Sequence, residues 1–176
     1  FTDAQETILA VRRLPGDQEV IVGMCELLYL PHRTLNVQAV PLAIATIPGD
    51  LEATLRDIYA PVGIDFNLSR AAATALPAGI PGPDGALDTE GTGSWANYTP
   101  ELQDLQDHVR RSLGEAYRGD SYYLLFTELP TTSGLAGFMP LARQWGYVFG
   151  EGSEERKDRR SLIAAHELGH GIFGLQ

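Results

Sequence analysis

Two different rhythms of apolar and polar residues run along this chain, and the switches between them mark out its elements. In IDFNLS, Ile64, Phe66 and Leu68 alternate with Asp65, Asn67 and Ser69, the two-residue period of a half-buried strand. Just before it, Leu51, Leu55, Ile58 and Tyr59 recur at helical spacing behind Asp50, and Pro61 and Gly63 close the segment. A helix capped by Asp50 is therefore expected. The run TLNVQAVPLAIATI reads as extended, and the order strand, helix, strand favours a crossover and a partly parallel sheet. Further on, Thr99-Pro100-Glu101 opens a helix with an apolar stripe of Leu102, Leu105, Val109 and Leu113. SYYLLFTEL is β-rich and expected as a central strand. GLAGFMPLARQ reads as a loop, and WGYVFGE, short, aromatic and flanked by glycine, as an edge strand.

The ends of the chain are patterned less sharply. A short helix is expected around Gln5 to Arg13, then a turn at Pro15-Gly16-Asp17 and a strand in EVIVGMCELLYL. That strand and TLNVQAVPLAIATI are expected to be neighbours, bending at Pro31-His32-Arg33. Leu76 to Thr99 is a long loop rich in Gly, Pro, Asp and Ser, pinned to the body by Trp95 and Tyr98. Its Asp84, Asp88 and Glu90 have the spacing of no defensible calcium loop. The last helix is expected to begin near Ser153 or Asp158 and to carry a stripe of Ala165, Leu168, Ile172 and Leu175. Residues 1–19 read as a leading segment and 20–176 as one domain, a length that buries a substantial core.

Charge narrows the partners. Thirteen basic against 23 acidic residues leave a net charge of -10, which supplies no basic excess for a nucleic-acid backbone or an anionic membrane surface. No run approaches the length of a membrane span. The single cysteine, Cys25, forms no internal bridge, so cysteine usage leaves the compartment open. The start lacks both an initiator methionine and the pattern of an intact signal peptide, and the expectation is an excised piece of a longer protein.

The chemistry concentrates in AAHELGHGIFGLQ. His166 and His170 are four residues apart, so on a helix both imidazoles project from one side, one turn apart, and can bind the same ion. Two nitrogens in that relation suit Zn2+. Glu167 lies about 100° further round the helix, placed to hold a water as general base rather than to ligate.

On HELGHGIFG, and more loosely on GLAGFMP and WGYVFGE ahead of it, the chain resembles the zincin metallopeptidases and, within them, the metzincin-like branch. The narrower resemblance is to domains of bacterial secreted and toxin-type proteins. It implies an α+β fold of zincin type. The expected parts are an upper subdomain with a twisted mixed β-sheet, an edge strand over the cleft, a backing helix and an active-site helix, with the C-terminal subdomain missing. It implies a zinc-dependent endopeptidase that cleaves a protein or peptide substrate with a metal-activated water, Glu167 as general base and His166 and His170 as ligands. It further implies that Gly146, Tyr147, Val148 and Phe149 form the cleft rim to which a peptide adds as an extra strand, and that the protein acts outside the cell.

The chain departs from the H-E-x-x-H-x-x-G-x-x-H pattern of that branch. Phe173 stands where its glycine is expected and Gly174 follows; Gln176, at the family's third ligand position, is a poor zinc ligand. A turn displaced by one residue would put that ligand at position 177, so the fragment is expected to hold zinc weakly. His32, His108 and, in a deformylase-like hydrolase, Cys25 are the remaining candidate ligands. A non-catalytic zincin-like binding module is the other alternative, and the presence of Glu167 argues against it.

Overall fold

The computed structural model describes residues 4–16, 18–29, 32–89, 97–150 and 158–174. The chain divides into two compact units, residues 1–33 and 34–176. The break lies between Arg33 and Thr34.

The first unit is a hairpin of β1 (Ala4–Arg13) and β2 (Glu19–Tyr29), antiparallel, with a register shift between Ala10 and Val11. The helix expected around Gln5 to Arg13 is thus a strand. Thr7, Ile8 and Val11 carry the β-branched character that explains it. The strand in EVIVGMCELLYL, β2, pairs with β1 and not with the run that follows Arg33.

The second unit is α+β, built on a mixed five-stranded sheet. Its strands are β3 (Arg33–Pro41), β4 (Ile64–Arg70), β5 (Tyr122–Thr127), β6 (Gly137–Phe138) and β7 (Trp145–Phe149), in the order β4-β3-β5-β7-β6. β3, β5 and β7 are parallel, Val37 opposite Tyr122 and Tyr123 opposite Trp145, while β6 runs antiparallel to β7. β5 is central, as its composition indicates.

Helices cover both faces, and alternate side chains of each strand feed the two layers. α1 (Leu51–Tyr59) and α3 (Arg160–Phe173) share one core with Val37, Ala39, Leu124, Phe126 and Val148. α2 (Pro100–Leu113) buries Leu102, Leu105 and Val109 on the other, against Tyr123, Leu125, Tyr147 and Phe149. Thr99 caps α2, its hydroxyl accepting from the Leu102 N–H at 3.3 Å. Asp50 occupies the N-cap position of α1, but its side chain makes no cap and accepts instead from Ser161 Oγ at 2.6 Å. That bond ties the start of α1 to the first turn of α3.

The expected edge strand is an interior one. All five residues of β7 are buried, and it pairs with β5 on one side and β6 on the other. With helices on both faces, a strand shows no polar alternation, which is why WGYVF reads as a continuous apolar run. The edge on that side of the sheet is β6, a two-residue strand within the segment expected as a loop. Among the described residues no helix is long and apolar enough to cross a membrane.

Candidate functional site

α3 is positioned by contacts made along its length. At its start, Arg160 is buried and its Nη2 donates to Glu128 Oε1 at 2.5 Å, just past the end of β5. One turn on, the Tyr59 hydroxyl donates to the Ala165 carbonyl at 2.5 Å, immediately before the motif. The Tyr59 ring packs edge-on against Phe66 and stacks on Phe173 at 6.0 Å. The helix ends at Gly174, whose φ of +62° is left-handed and whose N–H donates to the His170 carbonyl, the arrangement that favours glycine. The turn therefore falls one residue later than in the H-E-x-x-H-x-x-G pattern, as the position of Gly174 indicates. Leu175 and Gln176 lie outside the described residues, as do Glu90, Trp95 and Ser153.

His166 and His170 converge. Their Nε2 atoms are 3.0 Å apart, and the rings meet edge to face with centroids at 4.5 Å. Two nitrogens about 2.0 to 2.1 Å from one zinc ion at a tetrahedral angle are about 3.3 Å apart, so the pair fits two corners of such a site with little movement. The same spacing suits an N–H···N bond when one ring carries its proton on Nε2. His166 titrates below the usual histidine value, first because burial disfavours the charged ring and then because of the neighbouring His170. A neutral ring is the form that binds a metal.

Glu167 points elsewhere. It is 6% exposed, and its carboxylate lies against the backbone of β6. Gly137 lies against it: a Cβ there would sit 2.5 Å from Glu167 Oε1 and 2.7 Å from Ile163 Cγ2. Burial pushes the Glu167 pKa up to about 8, the Met139 N–H acting in the opposite sense. The Met139 side chain fills the space left by two other glycines, with Sδ 3.1 Å from where a Cβ on Gly146 would be and 2.8 Å from one on Gly171.

The residues expected to bind a peptide need correction. Gly146, Tyr147, Val148 and Phe149 are buried on an interior strand. Phe149 N–H donates to the Ala136 carbonyl, and the N–H and C=O of Trp145 both engage the Tyr98 hydroxyl. Gly137 and Phe138 hold the sheet edge in their place. Two residues are too few for a periodicity, and the available signal was the GLAGFMP composition, glycines beside a single aromatic. Tyr98 does pin the long loop, as expected.

Among the described residues no group of three or more His, Cys, Asp or Glu side chains gathers to hold a metal. His108 Nε2 lies 2.9 Å from the Ala75 carbonyl, and His32 and Cys25 belong to the hairpin unit. Asp84 is occupied in a local turn, accepting from Ala86 N–H. No protein-family model matches the chain, and no curated protein matches it.

Proposed function

We propose that this protein is a zinc-dependent endopeptidase of the metzincin-like kind, with His166 and His170 as metal ligands and Glu167 as general base. The observation that carries the reading is the pair of Nε2 atoms 3.0 Å apart on the helix that also bears the buried Glu167. The fold supports it: a mixed sheet with an antiparallel strand at its edge packs against the helix bearing the motif. The two histidines leave the rest of the metal's coordination open in this reading, and the extracellular setting rests on the resemblance alone.

A bound zinc ion would supply Lewis-acid polarisation of the scissile carbonyl and a lowered pKa for water. The chain's residues do the rest. An extended peptide pairs along the outer edge of β6, presenting its backbone past Glu167. Glu167 takes a proton from water as the carbonyl is attacked and delivers it to the departing amine. A carboxylate held in an apolar setting suits that exchange, because it accepts and returns a proton more evenly than an exposed one.

The test uses the protein loaded with Zn2+. We expect one zinc per chain, lost in His166→Ala and in His170→Ala. Glu167→Gln should keep the metal and lower casein hydrolysis by about 10²- to 10⁴-fold. Zinc retained with no Glu167-dependent hydrolysis would instead assign a non-catalytic binding module.

A further inference from the structure

The two imidazoles are anchored by different parts of the fold. His166 follows a residue whose carbonyl accepts from the Tyr59 hydroxyl. His170 lies in the last turn of α3, three residues before the helix ends at Phe173, where carbonyls run out of partners and helices fray. Its own carbonyl has two. One is the Gly174 N–H at 3.0 Å, and the other is the Ala142 N–H at 3.1 Å, from the connection between β6 and β7. That connection is a turn: Arg143 N–H donates to the Pro140 carbonyl at 3.2 Å, and the third residue of the turn, Ala142, has φ +56°. Turns of this kind take glycine or asparagine at that place, and a left-handed alanine persists only where the surrounding contacts over-determine it. Here the contact is with the helix. Gly171, the residue after His170, lets the turn come close: a Cβ on it would lie 2.6 Å from the Arg143 carbonyl and against the Met139 thioether.

We propose that Ala142 and Gly171 are positioning residues for His170. The turn at 140–143 latches onto the carbonyl of the second histidine across a bare α-carbon and fixes where the last turn of α3 places its ring. The inference rests on the peptidase reading's metal site for its consequence, whereas the latch is a property of the folded chain. Both imidazoles stand on one helix, so their Nε2 separation of 3.0 Å depends on that helix keeping its pitch through the final turn. The Tyr59 bond secures the stretch that carries the first ring, and the Ala142 bond the stretch that carries the second. Coupling of this sort is reciprocal. A cation held by both rings favours the latched turn, and the latched turn favours the cation by the same factor. Ala142 is exposed, so its amide should exchange quickly with solvent once the bond opens.

Amide hydrogen exchange at position 142 tests the latch without metal or substrate. Gly171→Ala forces the Arg143 carbonyl away from the helix and should speed exchange there about tenfold or more, while the Leu125 amide in β5 stays protected. Ala142→Gly keeps the N–H and suits the left-handed φ, so protection should hold. Titration with Zn2+ reads the consequence. Gly171→Ala should bind the ion about fivefold more weakly, the scale of one hydrogen bond, and Ala142→Gly should bind it as the native protein does. A second substitution separates position from stability. Adding Met139→Ala to Gly171→Ala removes the clash with the thioether but not that with the main-chain carbonyl. The thermal midpoint should then rise while the exchange and affinity defects remain. Affinity that recovers along with the midpoint assigns Gly171 to packing alone and overturns the proposal, as does native protection at Ala142 in Gly171→Ala. If Gly171→Ala does not fold, replacing Ala142 by lactic acid, which puts an ester oxygen in place of the N–H, decides alone: unchanged Zn2+ affinity overturns the latch. The two readings fail separately. Exchange at Ala142 that depends on Gly171 in a protein that binds no zinc leaves the latch standing and removes the metal site, and Glu167-dependent hydrolysis with Ala142 indifferent to Gly171 does the reverse.

Discussion

Tyr59 shows how a single hydroxyl can set the site. It joins α1 to the main chain of α3 one residue before His166, while its ring is held between Phe66 and Phe173. Tyr59→Phe should keep the ring packing and lose the bond, lowering stability by about 1 kcal/mol in chemical denaturation. Tyr59→Ala removes the ring as well and should cost about 3 to 5 kcal/mol. At this scale the convergence of His166 and His170 was legible, because a helix converts a four-residue interval into a shared face whatever it packs against. It did not disclose which way Glu167 turns. The carboxylate lies against Gly137, far upstream in β6, and no local pattern links that glycine to the helix.

Among the elements, α3 enters the molecule through a buried ion pair. Removing Glu128 leaves the Arg160 guanidinium, 4% exposed, without its carboxylate. Glu128→Ala should therefore destabilise by about 3 kcal/mol, the cost of an orphaned buried charge, read as a lower urea midpoint with an unchanged slope. Gly171→Ala acts at the other end, where a Cβ would meet the Met139 side chain and lie 2.6 Å from the Arg143 carbonyl. We expect a lower thermal midpoint there, with relief when Met139 is shortened to Ala in the same chain. Elements with a strong period of their own, such as α1, α2 and β4, were legible in the sequence. Others, β7 and β1 among them, were not, for different reasons. β7 lacks a polar face because α2 and α3 cover both of its sides, so its apolar run says that it is buried but not where it lies in the sheet. β1 owes its extended form to its pairing with β2, a contact that helical spacing within Gln5 to Arg13 does not reveal.

Across the whole molecule, tyrosine hydroxyls repeatedly bridge elements through main-chain carbonyls: Tyr59 to Ala165, Tyr98 to Trp145, Tyr123 to Arg118 and Tyr147 to Leu102. Burial raises the pKa of all four, that of Tyr59 up to about 12. Because the folded values lie above the ordinary value of 10.0, ionisation favours the unfolded chain. Their stabilising contribution is complete below pH 10 and is lost as pH rises through the folded values. Phenolate absorbance from these residues should thus rise together with the loss of far-ultraviolet circular dichroism. Full ionisation of the four in a chain with native dichroism would contradict it. The general class, α+β with a partly parallel sheet and a central SYYLLFTEL, was available from patterning alone, whereas the division at Arg33 was not, since it reflects which strands pair.

The parallel pairing of Val37 with Tyr122 also sets a timetable. Distant segments must meet before that ladder repays the entropy of closing the intervening chain, so assembly should be slow, on the order of milliseconds to seconds. The imidazole pair stands on a helix that packs across the finished ladder, and so it takes shape late, as a sign that the rest of the unit has already formed.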